Sequence, residues 1–441
     1  MRLLQRLHDV VTVPVSIAPL AVARVLFGAA ITISCIRFIA LGWIDEQYIA
    51  PTWHFPYYGF EWVTSLGDPG MYVLYGVMTL SAIGVMFGAF YRISIITFLL
   101  TFTYVELIDK TYYLNHYYFV SLAAALFAIV PAHRRFSLDV LRRPLIAVDT
   151  VPRWCVDVFK LQLGIVYVYA GIAKMTSSWL VDAMPLRIWM PANDALPVIG
   201  WLMVIPWMPW VFAWMGMLFD TTVPFLLAWK RTRIIAYVAV VVFHTFTGMM
   251  FQIGVFPLVM IAMTLIFFEA RLHEKIIGMT TAASPVHGHV THQRWILRGL
   301  AIYVVLQLLI PWRFVLYPGE LLWTEQGYRF SWRVMLMEKA GTATFYVRDR
   351  VTGREGAVNN ADFLNAHQEK QMAMQPDMII RYASLLREHY ASRGVRDPYV
   401  RAEVWVTLNG APSQLLVDSS IDLSAQREGF HNYDWILPRS N

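Results

Sequence analysis

The stretch VYVYAGIAKMTSSW, residues 166–179, ends a long apolar run on a charged residue, Lys174. The run covers residues 156–175, which is long enough for a helix to cross the ~30 Å hydrocarbon core of a bilayer. Ionisable residues are costly inside a membrane, so each is a candidate functional residue, although lysines at helix ends often only extend to the interface. The segment therefore predicts a membrane-spanning helix and leaves both roles open for Lys174.

The composition extends this prediction to most of the chain. Of 441 residues, 57% are hydrophobic and 15% are charged, and the mean hydropathy is +0.48, which is too apolar for a soluble protein of this size. The two cysteines, Cys35 and Cys155, lie in or beside apolar segments, so they indicate neither a disulfide framework nor a thiolate metal site. Because the histidines are also scattered, no metal is predicted.

About nine apolar runs are predicted to span the membrane, at 20–43, 71–91, 93–108, 117–132, 156–175, 207–229, 233–250, 253–269 and 296–312. If the spans alternate, the basic loops all fall on one side, which the positive-inside rule assigns to the cytoplasm together with the N-terminus. These basic residues look like loop anchors rather than a nucleic-acid surface, so the expected partner is a lipid bilayer and not a nucleic acid. The C-terminus then lies outside, in the periplasm or exterior of a bacterium or the lumen of a eukaryotic compartment.

From about residue 313 the pattern of the sequence changes. The stretches ATFYVRDRVTGREGAV (343–358) and YVRAEVWVTLNG (399–410) alternate apolar and polar residues, which is typical of strands. The stretch PDMIIRYASLLREHYASRG (376–394) begins with proline and ends with glycine, which are signals for the start and the end of a helix. The chain is therefore predicted to be a polytopic α-helical membrane protein, with a helical catalytic domain over 1–312 and an outward-facing α+β extramembrane domain over 313–441.

Polar residues concentrate at the predicted outward ends of the spans. LIDKTYYLNHYYF (107–119) contains Asn115 and His116, and His244 lies in the outward half of its own run. A lysine in a dry pocket favours its neutral amine, which can remove a proton, and a nearby histidine can accept or relay that proton. In the alternative interpretation His116 is an exposed loop residue, and His244 only bonds a carbonyl across helices.

Tyr167 and Gly171 add a second feature to the same helix. Tyr167 precedes Lys174 by seven residues, which is about two helical turns, so both side chains point the same way. Gly171 keeps one side of the helix thin. A flat aromatic ligand is therefore expected beside this helix, although many of the tyrosines and tryptophans are expected to form interfacial belts that bind no ligand.

Six stretches in order resemble a known family. They are GAFYRISIITFLL (88–100), LIDKTYYLNHYYF (107–119), YVYAGIAKMTSSW (167–179), FHTFTGMMFQIGVF (243–256), YRFSWRVMLMEKAG (328–341) and VRDRVTGREGAVNNADF (347–363). Similar stretches at similar intervals occur in vitamin K-dependent gamma-glutamyl carboxylase and its bacterial relatives, over about residues 18–425. The membrane part is similar to the horizontally transferred transmembrane domain.

The resemblance implies a membrane enzyme that couples oxygenation of vitamin K hydroquinone to its epoxide with carboxylation of glutamate in a peptide or protein substrate. The implied cofactor is reduced vitamin K, as phylloquinol or menaquinol, with O₂ and CO₂ as co-substrates. Lys174 matches the family's catalytic lysine, and His116 matches its assisting histidine. The remaining matches are Asn115, Tyr167, His244, Tyr328 and Met335 around the quinone and Trp332 at the glutamate site.

The chain departs from the family pattern at several positions. Ala173 stands where animal members carry a second lysine, and Arg333 and Met337 stand where they carry an acid and a histidine. These departures keep two alternatives open: a quinol epoxidase that does not carboxylate, and a non-catalytic quinone-binding membrane protein. A transporter is disfavoured because no matched pair of interrupted helices is evident in two halves of the chain.

Overall fold

The computed structural model describes residues 8–251, 253–279 and 286–440. The helices of its first part are α1 (Ala18–Ala40), α2 (Gly67–Phe87), α3 (Tyr91–Ile108), α4 (Asn115–Ile129), α5 (Trp154–Ala173), α6 (Met208–Ala228), α7 (Arg233–Met250), α8 (Phe256–Thr264), α9 (Ala270–Ile276) and α10 (Gln293–Leu309). Within the described ranges seven of these are long and apolar enough to cross a membrane, namely α1, α2, α3, α5, α6, α7 and α10. The prediction of a polytopic helical membrane protein is therefore confirmed.

The expected count of nine spans needs correction at two places. Helix α4 has only 15 residues, which is about 22 Å at ~1.5 Å per residue. The helix ends early because Val130, which precedes Pro131, is extended, as a residue before proline usually is. Helices α8 and α9 form a pair bent by 118°, which gives eight spans in the described chain if the pair crosses as one. The apolar run alone did not show this bend.

Short segments connect the long helices. Helical turns lie at Leu138–Arg142, Ser177–Leu180, Leu186–Trp189, Gly200–Met203 and Leu321–Thr324, a π-helical turn at Asp45–Ile49, and 3₁₀ turns at Lys110–Tyr112, Pro144–Ile146, Pro191–Asn193, Leu265–Phe267, Ile310–Leu316, Asn360–Asp362 and Leu423–Ala425. Strands β1 (Pro14–Ser16) and β2 (Thr150–Pro152) pair antiparallel. They tie the start of α1 to the start of α5.

The second part of the chain is an α+β unit, as predicted. Its sheet has the order β4-β3-β5-β6 and is antiparallel throughout, with β3 at Lys339–Asp349, β4 at Glu355–Ala357, β5 at Pro398–Leu408 and β6 at Gln414–Leu415. Helix α11 (Ala366–Met372) precedes α12 (Pro376–Ser392), whose proline lies in its first turn. The chain leaves α12 through Gly394 at a φ of +90°, a conformation that favours glycine.

The described residues form three hydrophobic clusters. One fills the helical part and includes Trp332 from the later part of the chain. The second lies between the sheet and α12, where alternate residues of β5 and the apolar face of α12 are buried. The third is smaller and surrounds the end of α5, where Ala173, Trp179 and Met250 are buried. The predicted boundary at 312–313 falls within the 3₁₀ segment that continues α10, and it stays a prediction.

Candidate active site where the helices meet the α+β unit

Lys174 follows directly on α5 and is buried rather than extended toward an interface. Its backbone N–H donates to the Gly171 carbonyl, and the N–H of Met175 donates to the Ile172 carbonyl, which closes the helix. The residue is 6% exposed, and its Nζ donates to Asp220 Oδ2 at 2.8 Å and to the Ala170 carbonyl at 3.2 Å. A lysine that only extends to the interface keeps its charge in water, so this geometry contradicts that interpretation for Lys174.

Asp220, on α6, is the residue that the sequence analysis missed. It is 4% exposed and lies 46 residues from Lys174 along the chain. Its position in the apolar run 207–229 was an available signal, because a carboxylate inside a membrane helix is by default a functional candidate with a partner to be found. The sequence alone did not show that this partner is Lys174.

The close approach of α5 and α6 depends on Gly171. An added Cβ at this position would lie 2.5 Å from Thr221 Cγ2 and 2.7 Å from Thr221 N, closer than real Cβ contacts allow. Helix α6 therefore packs against the Gly171 side of α5, next to Asp220. This contact leaves no space there for the flat ligand that the sequence analysis expected. Small residues commonly serve such contacts between membrane helices.

Tyr167 and His244 form a second buried pair. The Tyr167 hydroxyl lies 2.8 Å from His244 Nε2, and both residues are buried. The bond joins α5 to α7, so His244 bonds a side-chain hydroxyl across helices rather than a carbonyl. Phe219, which precedes Asp220 on α6, packs edge-on against Tyr167.

His116 and Asn115 begin α4. The His116 ring stacks on Phe256, with centroids 4.9 Å apart, and Phe256 also meets His244 edge-on at 6.2 Å. Among the described residues no side chain or carbonyl makes a hydrogen bond to the ring nitrogens of His116. The imidazole is half-buried and therefore keeps both nitrogens available to a ligand.

Asn115 joins α4 to the segment 328–337. Its Nδ2 donates to the Arg333 carbonyl at 2.7 Å, and its Oδ1 accepts from the Tyr113 hydroxyl at 3.0 Å. In the same segment Trp332 is 1% exposed and stacks on Tyr118 of α4, with centroids 4.9 Å apart. The segment is therefore packed into the helical part.

The backbone of this segment has an unusual conformation. Phe330, Trp332 and Met335 all have positive φ, at 60°, 58° and 53°, which is uncommon for bulky residues and is found at functional sites. Within the described chain no hydrogen bond or ring contact joins Tyr328 or Met335 to Lys174 or His116. The structure thus brings Asn115, His116, Tyr167, Lys174 and His244 into one region and places Tyr328, Trp332 and Met335 in an adjoining segment.

A cavity of about 260 Å³ lies where the helices meet the α+β unit. Aromatic and charged side chains line it, including Tyr57, Phe60, Lys110, Arg313, Tyr317, Arg329, Phe330, Asp377, Glu428 and Phe430. Lys110 is 1% exposed, pairs with Asp377 at 2.9 Å and also bonds Glu428. Arg329 pairs with Asp377 at 2.6 Å.

The two carboxyls of this cluster have opposite pKa shifts. Burial raises the pKa of Asp377, but the charges of Arg329 and Lys110 outweigh it and hold that pKa well below its usual value. Burial raises the pKa of Glu428 above its ordinary value, although Lys110 opposes the shift. Asp377 therefore carries the negative charge that balances the buried cations of the junction.

An apolar groove of about 450 Å³ runs beside α5. It is lined by Lys160, Leu161, Gly164, Ile165, Val168, Tyr169, Pro224, Phe225, Ala228, Arg233, Phe267 and Leu308. Tyr169 and Pro224 place the groove between α5 and α6, and neither Lys174 nor Asp220 is among its lining residues. Its lining is suited to a hydrocarbon chain.

The fold and these side chains define a polytopic membrane protein with a buried Lys–Asp pair near a joined α+β unit. The model of the HTTM domain matches residues 13–271, and the model of the vitamin K-dependent gamma-carboxylase lumenal domain matches residues 292–441. No solved structure matches the chain. The chain belongs to the vitamin K-dependent gamma-glutamyl carboxylase family, whose general activity is vitamin K-dependent carboxylation.

Proposed function

We propose that this protein is a vitamin K-dependent gamma-glutamyl carboxylase that couples oxygenation of reduced vitamin K to its epoxide with carboxylation of glutamate in a peptide or protein substrate. O₂ and CO₂ are the co-substrates. The observation that carries the proposal is the buried pair of Lys174 and Asp220 at 2.8 Å, in a chain whose two parts match the two domains of that family.

The residues present fit reduced vitamin K. A hydroquinone offers two hydroxyls on a flat ring and an apolar tail, and this region contains a buried lysine, the bonded pair of Tyr167 and His244, and an imidazole without a hydrogen-bond partner among the described residues. The apolar groove beside α5 suits the tail. We assign Asn115, Tyr167, His244, Tyr328 and Met335 to the cofactor and Trp332 to the glutamate substrate.

The cofactor supplies the one property that protein side chains lack: with O₂, bound vitamin K hydroquinone yields a base strong enough to remove a γ-proton from glutamate. Lys174 Nζ receives the proton of the hydroquinone hydroxyl, and His116 accepts or relays a proton at its free ring nitrogens. Lys174 is buried and His116 is half-buried, so both side chains are largely withdrawn from water. Exclusion of water matters because water would quench a strong base before it reaches glutamate.

We propose that the peptide reaches the site from the side of the α+β unit, through the aromatic and charged cavity at the junction. The basic loops support an orientation with the N-terminus in the cytoplasm and the α+β unit outside. In this proposed orientation the cavity lies at the outer ends of the helices, and the apolar groove would admit the cofactor from the bilayer.

An epoxidase that does not carboxylate is the second candidate. Arg333 lies over the Phe314 ring at 4.4 Å, and Met337 packs against the core of the α+β unit. Neither side chain offers the carboxylate or imidazole that animal members of the family place there. This observation favours cofactor oxygenation without glutamate carboxylation.

One assay separates the two candidates. Purified protein in nanodiscs receives reduced vitamin K, O₂, labelled bicarbonate and a glutamate-containing peptide, and epoxide and fixed label are followed together. The proposed function predicts both products, and Lys174→Ala abolishes both while the protein still inserts. Lys230→Ala is the control and retains turnover, because Lys230 lies in the loop after α6 and pairs with Glu269 at the exposed surface.

The other outcomes of this assay support different functions. Epoxide without fixed label across several peptides supports the uncoupled epoxidase. Tight quinone binding with neither product identifies a binding protein, and full turnover in Lys174→Ala removes Lys174 as the base.

A further inference from the structure

The charge on Lys174 conflicts with a simple role as a neutral base. A carboxylate 2.8 Å from the Nζ in a poorly solvated site favours the ammonium form of the amine. An ammonium group has no lone pair and accepts no proton. The expectation of a lone, desolvated amine therefore leaves the destination of the hydroquinone proton unexplained.

Asp220 resolves this conflict. We propose that Asp220 is a positioning residue that holds Lys174 in place and takes up, through Lys174, the proton that the site removes. This inference rests on the proposed function, because it requires a ligand hydroxyl next to Lys174. It assigns the proton-accepting capacity of the site to the pair of residues rather than to the amine alone.

The proton balance is complete without any further reactant. The ammonium proton between the two side chains moves from Lys174 Nζ to an Asp220 carboxylate oxygen, and the ligand's O–H bond breaks as its proton bonds to Nζ. Asp220 ends as a neutral acid, and Lys174 remains an ammonium group beside the oxygen that has lost its proton. No electron is transferred in this step.

The geometry supports both parts of this role. Lys174 lies at the end of α5 and Asp220 in the middle of α6, so the bond holds the amine across a contact that Gly171 makes possible. Within the described chain, Asp220 Oδ2 accepts only from Lys174, and no hydrogen bond is made to Oδ1, so a proton can be accommodated there. The Lys174 side chain also faces the Trp179 ring at 5.5 Å, which stabilises the ammonium form.

The test uses the full chain in nanodiscs and begins without turnover. Menaquinol-4 is added in the absence of O₂, and infrared difference spectra are recorded for wild type, Asp220→Asn and Asp157→Asn. The proposal predicts that a protonated-carboxyl band appears on binding in wild type and in Asp157→Asn and is missing in Asp220→Asn. Asp157 is a matched control because it also pairs with a lysine, on α5, but is partly exposed.

Turnover supplies the second readout. With O₂ present, Asp220→Asn is expected to lower kcat for epoxide formation by roughly 10²–10⁴-fold, the usual contribution of a proton acceptor, with a much smaller change in KM. Asp220→Glu is expected to restore part of the rate, since it returns the carboxylate. The Glu variant also keeps the test informative if Asn at this position fails to fold.

The outcomes distinguish the two proposals. A wild-type protein that makes epoxide but shows no carboxyl band, or an Asp220→Asn variant with the same band or the same kcat, overturns the role of Asp220 and leaves the proposed function standing. A wild-type protein that makes no epoxide overturns the proposed function and this inference with it. Loss of the band and of kcat together in Asp220→Asn, with recovery in Asp220→Glu, establishes the inference.

Discussion

At the scale of single residues, the location of its carboxylate partner distinguishes the proposed catalytic lysine from a lysine in a local helix pair. Lys160 and Lys174 lie on or directly after the same helix, and both pair with an aspartate. The partner of Lys160 is three residues away on the same face and partly exposed, whereas Asp220 comes from another helix and is buried. The spacing of residues in the sequence shows a pair such as Lys160 and Asp157. The pair of Lys174 and Asp220 forms only when two helices have packed.

His116 is expected to contribute strongly to rate and little to stability. His116→Ala should lower epoxide formation by roughly 10²–10⁴-fold, because the variant loses a proton-accepting ring whose nitrogens bond no described residue. The protein should fold and insert at normal levels, since the lost contact is mainly the stack on Phe256. Initial rates and the yield of purified protein in nanodiscs measure the two effects.

His431→Ala serves as the comparison for this prediction. His431 is exposed and lies in the α+β unit, and its substitution should leave the rate unchanged. Normal kinetics in His116→Ala would return His116 to a packing role at the start of α4.

At the scale of elements, the structure confirms the helices that have long apolar runs and corrects those whose ends depend on local chemistry. The apolar run 117–132 continues through Pro131, so it concealed the earlier end of α4. The bend between α8 and α9 depends on how the two helices pack, which periodicity does not record. The α5–α6 contact shows the same limit, because Gly171 was correctly noted as small but the neighbour that uses its space is Thr221.

Gly171→Ala should disturb the site through the α5–α6 contact. The new methyl group would meet the Thr221 backbone, so the helices must separate and the bond between Lys174 and Asp220 must lengthen. Activity should fall by about tenfold or more, even though alanine favours helix formation by roughly 1 kcal/mol over glycine. Epoxide formation and thermal unfolding, measured on the same samples, separate the effect on the site from the effect on the helix.

Gly216→Ala is the matched control for this substitution. Gly216 lies on α6, the other helix of the contact, and an added Cβ there meets no atom of the described residues within 4 Å. Gly216→Ala should therefore keep full activity. Equal activity in the two variants would show that the Gly171 contact does not position Lys174.

At the scale of the whole molecule, the two parts of the chain are joined by polar contacts around the turn between α3 and α4. Gln368 donates to Asp109 at 2.8 Å, His367 lies 3.1 Å from the Thr111 carbonyl, and Lys110 pairs with Asp377. The sequence predicted that polar residues concentrate at the outward ends of the spans, including the stretch 107–119. It did not show which residues meet, because the partners are more than 250 residues apart.

This junction also shows why the fold was more predictable than the site. Apolar runs, strand alternation and helix-ending residues are local signals, so spans, β3, β5 and α12 follow from short windows of sequence. The buried Asp220 and the half-buried Asp377 and Glu428 acquire their roles only from residues that folding brings to them. Of the site residues, those found from the sequence match family motifs, and Asp220 matches none of the motifs that carried the resemblance.

Asp377→Asn is expected to loosen the α+β unit from the helices. The variant leaves the buried Lys110 and the Arg329 side chain without their shared carboxylate, and removing one partner of a buried pair costs about 3–5 kcal/mol. Because the pKa of Asp377 is held below its usual value, its contribution is present above the ordinary carboxyl pKa of about 3.9 and is lost only as the pH falls toward the lower folded value. The loss of junction stability in Asp377→Asn, relative to wild type, should therefore be the same at pH 7 and pH 5. It should shrink only below about pH 4.

Hydrogen exchange of the backbone amides of the 109–113 turn, measured in nanodiscs across this pH range, reports the opening of the junction directly. Asp397→Asn is the control, because its partner Arg387 is 3.1 Å away and both side chains are exposed, so its substitution should change protection by less than about 1 kcal/mol. Glu428 has the opposite shift, since burial raises its pKa, and it takes up a proton before Asp377 as the pH falls. A loss of protection in Asp377→Asn that is small at pH 7 and grows toward pH 5 would mean that Glu428, until it takes up its proton, and not Asp377, holds Lys110 at the junction.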